Sequence, residues 1–109
     1  MSDLTHAEAI RIHALRRMAE RYGVAAEDGP AILERHQALA RLGRFTRLGV
    51  RESDGSTVLR MFDRGRTWHM AWRTDWQLVV TYLTEAQAMT NAGLGHLYAR
   101  RPGACSRRT

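Results

Sequence analysis

The chain has no lysine, one cysteine, two prolines and no long apolar run. Each shortage excludes something. A lone Cys105 cannot close an internal disulfide, and a disulfide framework or a multi-cysteine zinc site is out of reach. No apolar stretch approaches the ~20 residues that span a bilayer. The opening Met-Ser-Asp-Leu-Thr lacks the basic-then-apolar pattern of a secretory signal. A reducing cytoplasm and no membrane partner are therefore expected. Metal motifs are missing too: there is no HExxH, no CxxC and no carboxylate cluster, and His6 and His13 stand two helical turns apart. Glycine-rich phosphate loops and a GxSxG elbow are also absent, so neither metal nor cofactor is expected. The lack of lysine leaves arginine as all 17 basic residues, against 11 acidic ones, for a net charge of +6. A GC-rich genome produces such a bias. Its physical consequence is the same whatever the origin, because a guanidinium presents a planar fork of donors that fits phosphate oxygens. A small basic protein attracts polyanions over long range, which makes RNA or another polyanion the first expected partner. An acidic protein would answer the same field.

At 109 residues the chain suits one domain, here read as residues 1–103 followed by a basic tail over 104–109. Thr5-His6-Ala7-Glu8 is a capping box that opens a helix, which should stop at Gly23. Leu4, Ala7, Leu15, Met18 and Tyr22 recur at helical spacing and should face the core. Asp28-Gly29-Pro30 starts a second helix that ends at Gly43, with Ile32, Leu33, Leu39 and Leu42 apolar. Glu34, Arg35, His36 and Arg41 read as its solvated surface. From Arg44 the period changes to two. Four strands follow, over 45–52, 57–63, 66–73 and 77–84, joined by turns at Asp54-Gly55, Arg64-Gly65 and Thr74-Asp75-Trp76. Trp68, Met70 and Trp72 alternate onto one face as core. The last strand is apolar on both faces, which predicts an interior position in the sheet. Thr84 caps a last helix expected to reach about Arg100. The predicted fold is α+β: two N-terminal helices, a four-stranded antiparallel meander and a C-terminal helix, with the helices on one face of the sheet.

The chemistry-bearing residues concentrate on the first helix. His6, His13, Arg17 and Glu20 form a narrow stripe beside the apolar face, and His13 and Arg17 are one turn apart. An imidazole that moves protons beside a guanidinium that holds phosphate suits RNA cleavage. A solvated helix face with a local Arg17–Glu20 pair is the plainer reading. Arg47 lies on a basic strand, Trp76 in an exposed turn, and Arg100 and Arg101 near the basic tail. These four are candidates for nucleic-acid or partner binding.

The run His13-Ala14-Leu15-Arg16-Arg17-Met18 and the closing Val79-Val80-Thr81-Tyr82-Leu83 resemble a small bacterial and phage family. Its members open with a His-Ala-x-x-Arg-Met helix, close with a Val-Val-Thr-Val-Tyr strand, and are grouped with the barnase/EndoU/colicin/RelE-like (BECR) ribonuclease fold. The likeness covers about residues 5 to 84. It implies His13, Arg17 and Thr81 as catalytic residues for metal-independent RNA cleavage to a 2′,3′-cyclic phosphate. Arg60 or His69, which the family motifs do not mark, could complete the site from the sheet. The likeness also implies a toxin held by an acidic antitoxin. The alternative is a non-catalytic phage or mobile-element protein that uses the fold to bind nucleic acid or a protein machine, as a defence inhibitor or virion component. Some 25 residues after Leu83 depart from the family pattern and could cover the sheet, block a cleft or bind a phage or host protein.

Overall fold

Thr5 begins α1 (His6–Tyr22) with the expected reciprocal cap: its hydroxyl accepts from the Glu8 N–H at 3.1 Å, and Glu8 Oε1 accepts from the Thr5 N–H at 3.0 Å. Gly23, at φ 68°, ends the helix in the left-handed region that glycine enters without penalty. The computed structural model describes residues 5–94. Leu4, Arg100, Arg101 and the 104–109 tail therefore lie outside the described residues. Burial along α1 is concentrated at Ala14 and Met18, whereas Ala7, expected in the core, is exposed.

The second helix, α2 (Gly29–Arg41), carries Pro30 in its first turn, where a missing N–H costs nothing. Its buried positions are Gly29, Ile32, Leu33, His36, Gln37 and Ala40. They follow a clean helical repeat that includes two polar residues. His36 is fully buried rather than solvated, and Leu42, expected to be apolar packing, is exposed. Polar groups at such depth must be bonded, and these are. His36 Nδ1 meets the Tyr82 hydroxyl at 2.8 Å, and Nε2 meets Asp63 Oδ2 at 3.2 Å. Asp63 also accepts from Arg35 Nε at 2.8 Å. Gln37 Oε1 accepts from the Val79 N–H at 3.0 Å. The ring of Trp68 lies edge-on against His36, with centroids 4.6 Å apart, and its Nε1–H donates to the Asp63 carbonyl.

The sheet is the expected meander. Strands β1 (Thr46–Val50), β2 (Thr57–Asp63), β3 (Arg66–Arg73) and β4 (Leu78–Leu83) lie in the order β1-β2-β3-β4, each antiparallel to the next. Arg64 (φ 55°) and Gly65 (φ 75°) join the paired residues Asp63 and Arg66 in a two-residue turn. Positive φ at both positions matches the right-handed twist of the flanking strands. The order corrects one expectation: β4 is an edge strand. It is apolar on both faces because helices cover both, not because strands flank it. α1 packs closely along β4, and its small Ala14 is fully buried.

Alternation divides the sheet into two faces. Leu59, Met61, Trp68, Met70, Trp72, Val79 and Tyr82 pack with α1 and α2. Val58, Ala71 and Leu83 turn the other way and pack with Ala88 of α3 (Glu85–Asn91). The third helix is thus on the opposite face from the first two, correcting the one-face arrangement. It is also shorter than expected: after Asn91 the chain reaches Gly93 at φ 80°. Thr84 caps it, with Gln87 completing a second capping box. The sheet admits α3 because Gly49 has no side chain, since a Cβ there would lie 2.8 Å from the Ala92 carbonyl oxygen and 2.9 Å from the Ala92 Cβ.

Two outcomes follow from this packing. Gly49→Ala must displace the end of α3 and should cost about 1–3 kcal/mol of stability, the usual range for overpacking, read from the urea midpoint. Burial pushes the His36 imidazole down to about 4 from 6.5, overriding the opposing pull of Asp63. Because the folded value is the lower one, the unfolded chain binds the proton first as pH falls. Stability present above pH 6.5 is then lost down to about pH 4, by about 3 kcal/mol from this group. Denaturation across that range should show the slope, and His36→Gln should flatten it.

Candidate functional site

On the α3 side of the sheet, α1, β4 and α3 line an open cavity of about 260 Å³. α1 contributes His13, Arg17 and Arg21, spaced four residues apart and hence stacked along one face. β4 contributes Thr81 between Val80 and Leu83, and α3 contributes Gln87 and Asn91. Arg51, at the start of the β1–β2 connection, completes the wall. The structure therefore brings His13, Arg17 and Thr81 together, although Thr81 follows the other two by more than 60 residues.

Each guanidinium is held. Arg17 Nη1 bonds Glu20 Oε1 at 2.6 Å. Arg21 Nη1 donates to the Tyr82 carbonyl at 2.7 Å. Arg51 makes a two-pronged contact with Asp54, at 3.1 and 2.6 Å. Asp54 is itself fixed by the turn, since its Oδ1 accepts from the Ser56 N–H at 3.0 Å. The Arg51 bond holds the Asp54 carboxyl well below the usual carboxylate range. These anchors lower the entropy lost when a guanidinium grips a ligand. They also absorb charge, because Glu20 and Asp54 each answer one arginine. No carboxylate lines the cavity itself.

Burial lowers the His13 pKa, and the nearby Arg17, Arg16, Arg21 and Arg51 lower it further. A positive surrounding penalises a second positive charge, so the imidazole is neutral at pH 7 and has a lone pair to accept a proton. Thr81 is nearly buried, and its hydroxyl reaches only the Tyr82 carbonyl, at 3.5 Å, the outer limit for such a bond.

Arg60 and His69 do not line this cavity. They sit with Thr67 and Glu85 at a separate depression of about 430 Å³. Arg60 Nε donates to His69 Nε2 at 3.3 Å, which leaves the His69 proton on Nδ1 and the ring neutral. Burial first, then Arg60, lowers the His69 pKa, with Glu85 opposing. Arg47 is exposed on β1 opposite Leu59. Trp76 is partly exposed in the β3–β4 turn, as expected, but has partners within the chain. The Arg73 guanidinium lies 3.9 Å from its ring centroid, and the His6 ring meets it edge-on at 4.7 Å.

The cavity holds residues the sequence reading missed. Arg21 was legible, because it continues the His13–Arg17 spacing by one more turn. Arg51, Gln87 and Asn91 reach the cavity only through tertiary packing. Among the described residues, no group of three or more His, Cys, Asp or Glu side chains could hold a metal, and no helix is long and apolar enough to cross a membrane. Comparison with family models, curated proteins and solved structures returns no match for the chain.

The cavity makes a pH prediction. If His13 acts as a base there, any activity that depends on it should rise with pH through a midpoint below 6.5 and level off by neutrality. A titration of the His13 ring protons by NMR should give the same lowered midpoint.

Proposed function

We propose that this protein is a metal-independent endoribonuclease of the BECR type that holds an RNA phosphate in the arginine-lined cavity. One observation carries the reading: His13, Arg17 and Thr81 share one cavity with Arg21 and Arg51. In the proposed reaction the ribose 2′-hydroxyl attacks the adjacent phosphorus and neutral His13 takes its proton. The P–O5′ bond breaks, leaving a 2′,3′-cyclic phosphate, and the departing 5′ oxygen regains a proton from the imidazolium or from water. The arginines offset the charge that builds on the phosphorane, the contribution that preorganised donors make best. Thr81 orients a phosphate oxygen. Such an activity in the cytoplasm would need restraint, for which an acidic antitoxin suits a chain of net charge +6.

A specific feature favours a second reading, in which the same cavity binds nucleic acid or a protein machine without cleavage. Transesterification uses both a base and an acid, and His13 is the one imidazole among the lining residues, with no carboxyl beside it.

Cleavage of single-stranded RNA in excess chelator, with the product ends identified, separates the two. The enzyme reading expects cyclic phosphate ends, lost by about a hundredfold or more in His13→Ala, as for removal of a general base, and reduced also in Arg17→Ala. Inert wild-type protein that still binds RNA would sink the catalytic reading and leave the second.

A further inference from the structure

The α3-side face of the sheet is only partly covered. Val58, Ala71 and Leu83 lie under the helix, while the same face continues past it to Arg60, Phe62, Thr67 and His69. Register sets Arg60 opposite His69 and Phe62 opposite Thr67, so the four form one block. Phe62 is 74% exposed. A phenyl ring on a strand is normally worth burying, and this one lies open beside a polar depression of about 430 Å³. The Arg60–His69 bond sets the plane of both groups.

The depression adjoins the arginine cavity. His69 lines the first and is the strand partner of Leu83, which lines the second, and neighbouring strands are only ~4.8 Å apart. Their charge differs: the cavity is lined by arginines, whereas the depression is lined by both Arg60 and Glu85. A rim of mixed sign suits a base with donors and acceptors better than it suits another phosphate.

We propose that Phe62 is a stacking platform for an unpaired base of single-stranded RNA, with Arg60 and His69 at the base edge, when a neighbouring phosphate occupies the arginine cavity. This rests on the RNA reading above and adds strandedness to it. A duplex keeps its bases stacked on each other and has no free base face to offer. Stacking on an aromatic ring is tolerant of sequence, because every base has a π-face.

The test uses the full chain and a 2′-O-methyl oligoribonucleotide, which cannot be cleaved by its own 2′ oxygen. Binding is followed by fluorescence anisotropy for the single strand, for the same sequence as a duplex, and for polyphosphate as competitor. Phe62→Ala should weaken single-strand binding roughly 5- to 150-fold, the loss of one base–aromatic stack. Phe62→Trp should retain it, and duplex and polyphosphate binding should not change in either variant. The exposed position makes both variants compatible with folding. If Phe62→Ala binds the single strand as wild type does, or weakens duplex and single strand alike, the platform is overturned. Arg17→Ala distinguishes that failure from the larger one: weakened binding there keeps the cavity reading. Wild-type protein that binds no RNA at all ends both.

Discussion

The structure depends on how the open edge of β4 is closed. An edge strand presents unpaired backbone groups that invite association with other chains. Here helices answer them. Arg21 of α1 donates to the Tyr82 carbonyl and Gln37 of α2 accepts from the Val79 N–H, while the Tyr22 hydroxyl bridges β3 and β4, accepting from the His69 N–H and donating to the Leu83 carbonyl. The end of α1 is pinned further by Arg66, which donates to the Tyr22 carbonyl and lies over the rings of Tyr22 and Trp68. Closing the edge from outside means that α1 belongs to neither face of the sheet alone.

The candidate site arises from that position. One side of α1 sends Met18 into the core shared with α2. The other side sends His13, Arg17 and Arg21 toward the face that α3 occupies. A helix lying flat on one face would have turned the ionisable stripe to bulk water. Lying along the edge, it gives the stripe a floor in β4 and a far wall in α3. The lowered His13 pKa is the electrostatic trace of that placement.

Local chemistry was legible in the sequence, and tertiary placement was not. The Thr5–Glu8 cap, the Gly23 stop and the bounds of β2 and β3 are written in short-range patterns, and the structure has them where the patterns place them. The α+β class and meander order follow from the same signals. β4 was misplaced because an apolar strand reads alike whether strands or helices cover it. His36 was read as surface by residue type, although its spacing from Ile32, Leu33 and Ala40 marks the buried face of α2. The end of α3 was marked by Gly93, which a longer helical reading passed over. In the site, Arg21 follows from the helical repeat, whereas Arg51 depends on the hairpin turn around Asp54.

The bonds that tie α2 into the fold also constrain the order in which it can form. His36 pairs with Asp63 and Tyr82, 27 and 46 residues further along the chain, and Tyr22 reaches Leu83 across 61. Both N-terminal helices leave the ribosome with their inner faces uncovered. Their cover is complete only with the last strand, because Val79 and Tyr82 belong to the same core as Ala14, Met18, Ile32 and Leu33. Contacts of such long sequence separation slow folding and expose apolar surface while they wait. β4 is thus the element on which both helices converge although it is made well after them: its Tyr82 bonds His36 of α2, and its Leu83 carbonyl accepts from Tyr22 of α1.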